Sequence, residues 1–308
     1  MIQLSPSAPP SPISVVTGGG SSFTQTFAFT FSDTGGYRSF SVLDVLINSA
    51  LDGRQACYIA FVPSGANSGA VDLVDDRGDA GGPYSGMVLP GSGTVSNSQC
   101  SVNGALSAVN GNGNTLTLTL TITFSAAFSG NKVIYLSAQD TSPANSGWQA
   151  LGAWNVPGAP PSGPWVTGMT PAQSDNSLTQ TYIFTFTDTN GWQDIGVANV
   201  LINSAIDGRH ACYLAFLPGS GALDLVDDAG DAGGPYSGMV LPGSGTVSNS
   251  QCTVSGVGSS FSGSGNTLTV TLSIAFNAGF AGNRVFFLAA RSNALNSGWQ
   301  ALGSVTVP

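Results

Sequence analysis

The side chains best suited to chemistry in this sequence are its clustered aspartates. Asp72, Asp75, Asp76 and Asp79 fall in one short stretch, and Asp224, Asp227, Asp228 and Asp231 repeat it. Carboxylates grouped on a glycine-containing loop suit Ca²⁺, a hard cation that takes about six to eight oxygen ligands. These eight residues are the candidate calcium ligands, and a folded chain could bring Asp33 or Asp52 to the first set. The spacing is not that of an EF-hand, which requires alternating aspartates and a closing glutamate. A solvated acidic turn between strands is the simpler reading of the same pattern. Nothing else in the sequence calls for a cofactor.

Other arrangements support catalysis poorly. Asp33-Thr34-Gly35 spells the aspartic-protease signature, but the repeat offers Asp188-Thr189-Asn190. A protease dyad needs two facing aspartates that share a proton, so a turn after a strand is expected instead. A serine or cysteine hydrolase usually needs a histidine base. The one histidine, His210, is matched by Gln55 in the first copy. A zinc site lacks converging His or Cys ligands. Arg77-Gly78-Asp79 is an integrin-type tripeptide that becomes Ala229-Gly230-Asp231 in the repeat, which marks it as a chance match. Trp148 and Trp299, just before the last strand of each copy, are expected to pack in the core or between sheets. No catalytic residue is assigned, and an enzyme is not expected.

Composition narrows the partners. Charged residues make up 7% of the 308 positions, against roughly 25% in ordinary soluble domains. All 16 acidic residues are aspartates, and Lys132 is the only lysine. The net charge is −9, with a pI near 4.1. Nucleic-acid binding needs clustered Lys and Arg, which seven scattered cations do not provide. The apolar runs are too short for a membrane helix. The opening MIQLSPSAPPSP lacks a basic start and an apolar core, so it is not a signal peptide. An export signal is expected outside this numbering, in a longer polypeptide.

The chain is a duplication. Asp79–Cys100 and Asp231–Cys252 are identical letter for letter, VLINSALDGRQACY at Val45 returns as VLINSAIDGRHACY at Val200, and NSGWQALG recurs. Within each copy apolar residues alternate: Phe27, Phe29 and Phe31 with Thr and Ala, then Leu116, Leu118, Leu120 and Ile122 with Thr. Period two marks half-buried strands with a hydroxyl face toward water. About seven to nine short strands per copy fit a β-sandwich. The expected organisation is a Pro/Ser-rich leader over 1–12, a first sandwich over 13–157, a Pro/Gly linker over 158–164 and a second sandwich over 165–308. Each copy holds two cysteines, Cys57 with Cys100 and Cys212 with Cys252, too far apart for a CxxC motif. One disulfide per copy is the simple reading and implies an oxidising compartment; four buried thiols are the alternative.

FTQTFAFTFSDTGGY, VLINSALDGRQACY, NSQCSV, NTLTLTLTITF and NSGWQALG, in that order, resemble the Ig-like repeat modules of large bacterial cell-surface proteins. The resemblance covers both copies. It implies an all-β fold of two tandem Ig-like antiparallel β-sandwich domains, each with one intradomain disulfide, and a role at the cell surface or in an extracellular matrix. One departure is plain: the first long strand carries Phe29 and Phe31 where antibody domains carry a cysteine, so the disulfide is not expected to join the two central strands. The expected function is a non-catalytic fibre or matrix segment that contacts further copies of itself, with the extended leader able to act as a donated strand. The alternatives are a passive stalk or adhesin repeat, or a carbohydrate-binding module with a glycan partner. No nucleic acid and no membrane insertion are expected.

Overall fold

A computed structural model describes residues 8–79, 81–142, 144–158, 162–175, 178–231 and 233–308. The chain divides into two compact units, Met1–Gly158 and Ala159–Pro308. In the first, the strands are β1 (Ser11–Val16), β2 (Gly19–Ser21), β3 (Thr24–Ser32), β4 (Phe40–Asn48), β5 (Cys57–Gly65), β6 (Ser68–Val74), β7 (Tyr84–Leu89), β8 (Thr94–Ser96), β9 (Cys100–Asn112), β10 (Thr115–Phe124), β11 (Gly130–Asp140) and β12 (Gln149–Val156). The second repeats them as β13 (Trp165–Thr170), β14 (Gln173–Asp175), β15 (Thr179–Thr187), β16 (Val197–Asn203), β17 (Cys212–Leu217), β18 (Ala222–Val226), β19 (Tyr236–Val240), β20 (Thr246–Ser248), β21 (Cys252–Ser264), β22 (Thr267–Phe276), β23 (Gly282–Arg291) and β24 (Gln300–Val307).

Each unit is a sandwich of a five-stranded and a seven-stranded sheet. The first has the orders β1-β3-β10-β9-β8 and β2-β12-β11-β4-β5-β6-β7, and the second repeats both. The opening segment is shared between sheets: β1 pairs antiparallel with β3, and β2 pairs parallel with β12. The hairpin β5-β6 extends the seven-stranded sheet beyond β4, as an extra hairpin widens one sheet of a variable-type immunoglobulin sandwich. Each unit is therefore an Ig-like module.

Alternation explains the sides. Phe27, Phe29, Phe31, Leu116, Leu118 and Leu120 are fully buried and meet Val45, Ile47, Ile59 and Phe61 from the other sheet. The intervening threonines bond across the outer face of the five-stranded sheet, as in Thr24–Thr123 at 2.9 Å and Thr26–Thr121 at 2.8 Å.

The two cores are built differently. In the first, Phe27 meets the buried Trp154 of β12, ring centroids 5.0 Å apart. In the second, Tyr182 stands for Phe27 and Val305 for Trp154, and the large ring comes from Phe286 of β23, 4.7 Å from Tyr182. Phe286 stands where the first copy has Ile134. Volume lost on one strand is restored on its neighbour, which close packing demands.

Several expectations change. Among the described residues each module has twelve strands rather than seven to nine. The edge strand β7 and the long bulged β9 carry exposed apolar residues and glycines, so neither reads as a clean alternation. The first strand starts at Ser11, so Ser11 and Pro12 of the expected leader belong to the first module's own sheet. Leader residues 1–7 and linker residues 159–161 lie outside the described residues.

Candidate functional site

Both expected disulfides are present: Cys57–Cys100 and Cys212–Cys252, each with Cα atoms 5.6 Å apart. Cys57 opens β5 in the seven-stranded sheet and Cys100 opens β9 in the five-stranded one, so the bridge ties the two sheets together away from the central β3 and β11. Asn97 braces it. Its amide nitrogen donates to the carbonyls of Ala56 and Val74, and its oxygen accepts the amides of Gln99 and Cys100. Asn249 does the same in the second module.

The aspartate loops sit beside this bridge. Asp75 Oδ1 accepts the Arg77 amide at 3.1 Å, and Asp79 Oδ1 accepts the Gly81 amide at 3.0 Å. Asp76 takes the Ser98 amide at 3.2 Å and the Ser98 hydroxyl at 2.5 Å. Asp227, Asp228 and Asp231 repeat these bonds with Ala229, Ser250 and Gly233. Asp72 and Asp224 lie apart from the loops, within strands β6 and β18. Among the described residues no three His, Cys, Asp or Glu side chains are grouped to hold a metal ion. The carboxylates act as turn and loop staples, the job short acidic side chains do well. The loop itself needs glycine: Gly78, with φ +70°, crosses Gly53 so closely that a Cβ on it would lie 2.0 Å from the Gly53 carbonyl carbon. Gly230 and Gly208 repeat the crossing. A shallow cleft of about 420 Å³ opens beside it, lined by Asp75, Asp76, Pro83, Tyr84, Ser96 and Asn97. Its counterpart in the second module is about 300 Å³.

Asp33 and Asp188 are buried turn residues, each accepting the amide two positions on, Gly35 at 2.6 Å and Asn190 at 2.9 Å. His210 and Gln55 occupy matching left-handed loop positions, each with φ 50°. Asp52 lies beside Arg54, whose hydrogen bonds hold its carboxyl down to about 2, and Asp207 with Arg209 is the same pair.

The outer face of the seven-stranded sheet is the feature that sequence reasoning missed. Trp148 and Trp299 are not in the core; each packs edge-on against a tyrosine of this face, Tyr58 at 5.8 Å and Tyr213 at 5.7 Å. Leu46, Val74 and Val133 are buried although they stand outside the sandwich core. Strand register lines the layer up. Tyr135 pairs with Leu46, Leu46 with Tyr58, and Val74 with Tyr84. Two residues further along the strands runs a polar row: Ser137 pairs with Asp44, Asp44 with Ala60, Ala60 with Asp72 and Asp72 with Gly86. Burial pushes the Asp44 carboxyl up to about 6, against the opposing pull of the Tyr58 hydroxyl at 3.4 Å. Burial and the facing Asp44 raise Tyr58 to about 12. The signal for this face was present in the sequence: Tyr58 and Tyr213 directly follow the inward-facing cysteines, so alternation sends them to the other side.

The fold and this geometry define a tandem pair of Ig-like modules. No known protein family matches the sequence, and no curated protein is similar to it. Among solved structures, a marsupial T cell receptor aligns with 96% of this chain and 71% of its own at 10% identity and a TM-score of 0.24. A score that low adds nothing to the strand order, which carries the fold.

Proposed function

We propose that this chain is a non-catalytic extracellular structural segment whose modules associate with further copies through the open edge of the seven-stranded sheet. The observation that carries this reading is β7, with its copy β19. Both end their sheets, hold no charged residue and expose Val88 and Val240 at 64% and 61%. Edge strands in monomeric proteins are normally blunted by charge, bulges or cover. Two such edges per chain make it bivalent, as a fibre or matrix segment requires. The paired disulfides support an oxidising, extracellular setting.

Sedimentation velocity over a concentration series tests it. Larger species should grow with concentration and vanish when Ser85→Lys and Ser237→Lys place a charge on each edge. A single monomeric species at every concentration would overturn self-association and leave a spacer role.

A further inference from the structure

We infer that the outer face of each seven-stranded sheet is a binding trough for a neutral saccharide chain. The inference rests on the non-catalytic reading above; the trough shares β7 with the strand edge but uses the outward-facing side chains of that strand rather than its backbone edge.

The trough has a floor, two rims and polar groups. Ala60 forms the floor between Asp44 and Asp72, which stand two strands and so about 10 Å apart, and Gly86 lies beyond Asp72 on the edge strand. One rim is the aromatic row, with Tyr58 half-buried and Tyr84 45% exposed. The other rim is Val62 and Val88, paired through Ala70. Four residues of strand separate the rims, about 13 Å, enough to seat a pyranose ring. Gly86 has a specific reason to be glycine. A Cβ there would lie 2.8 Å from Asp72 Oδ1, because the carboxylate leans across it into the trough. Gly238 and Asp224 repeat this at 2.7 Å.

The ligand class follows from the chemistry and from what the second copy changes. Exposed rings beside carboxylate acceptors match a sugar, whose C–H face stacks on an aromatic ring while its hydroxyls donate to the acids. A basic peptide would also meet the acids, but the second copy argues against it. There Asn199 replaces Asp44 and Arg291 replaces Gln139, while Tyr213, Tyr236, Trp299, Asp224 and Gly238 remain. Arg291 lies near enough to Tyr213 to act on its charge. A cationic ligand would be repelled at this trough, whereas an uncharged hydroxylated one is accepted by both.

Isothermal titration of the intact chain with neutral tetrasaccharides (cello-, xylo-, manno- and malto-) and with tetralysine provides the test. At least one saccharide should saturate at two sites per chain. Tyr84→Ala with Tyr236→Ala should weaken it at least tenfold, and Asp72→Asn with Asp224→Asn several-fold, with melting temperatures showing both variants folded. Binding of none of the four sugars, binding of tetralysine instead, or affinity indifferent to the variants would overturn the inference. The Ser85→Lys, Ser237→Lys chain separates the two proposals: it should lose self-association and keep saccharide binding.

Discussion

Asp44 is a carboxylate whose ionisation the fold resists. Its carboxyl is raised from 3.8 to about 6 chiefly by burial. The folded state therefore prefers the protonated form. The resulting stability is fully present below the unfolded value near 3.8 and is lost as pH rises through about 6. Asp44→Asn should flatten this dependence and stabilise the first module at neutral pH by about 1–3 kcal/mol. Melting at pH 4.5 and 7.5 checks the sign, with Asn199 of the second module as the internal control. The loop aspartates Asp75, Asp76 and Asp79 each accept a backbone amide. Excess calcium or chelator should leave the melting temperature unchanged.

Elements hold together through a few side chains that reach across them. Asn97 makes four hydrogen bonds joining the loops before β5, after β6 and at the start of β9. At about 1 kcal/mol per bond, plus the cost of stranding buried partners, Asn97→Ala should destabilise the first module by about 2–4 kcal/mol in urea unfolding. The two core solutions invite an exchange. Trp154→Val alone should cost about 3–5 kcal/mol through the cavity it leaves. Adding Ile134→Phe, which copies the second module's arrangement, should recover part of the loss, and a double-mutant cycle measures that coupling. Each module also sets a cation over a phenylalanine ring, Lys132 on Phe128 at 4.5 Å and Arg284 on Phe280 at 4.4 Å. The contact survives a change of residue type because either cation serves it.

At the scale of the whole molecule, each unit has its own core and its own bridge between sheets. Residues 1–158 and 159–308 expressed separately should each fold and melt within a few degrees of their transitions in the full chain. Reduction should destabilise both, by about 2–5 kcal/mol each. A fragment that fails to fold alone would show that the two modules depend on each other.

The repeat, the strand class and the cysteine partners were legible in the sequence, because identity between copies, period-two alternation and cysteine count are properties of local order along the chain. The outer-face trough was not. Tyr58, Tyr84, Asp44 and Asp72 come from four strands and meet only through their pairing register. Trp148 could be assigned to a core or to a surface until the chain crossing decided which side it faced. The aspartate loops are close in sequence, but which amides and hydroxyl their oxygens accept, Arg77, Gly81 and Ser98, was set by the fold of the loops. Alternation says which residues share a side of one strand; only the packing of strands says which sides meet, and a binding surface is made from that second choice.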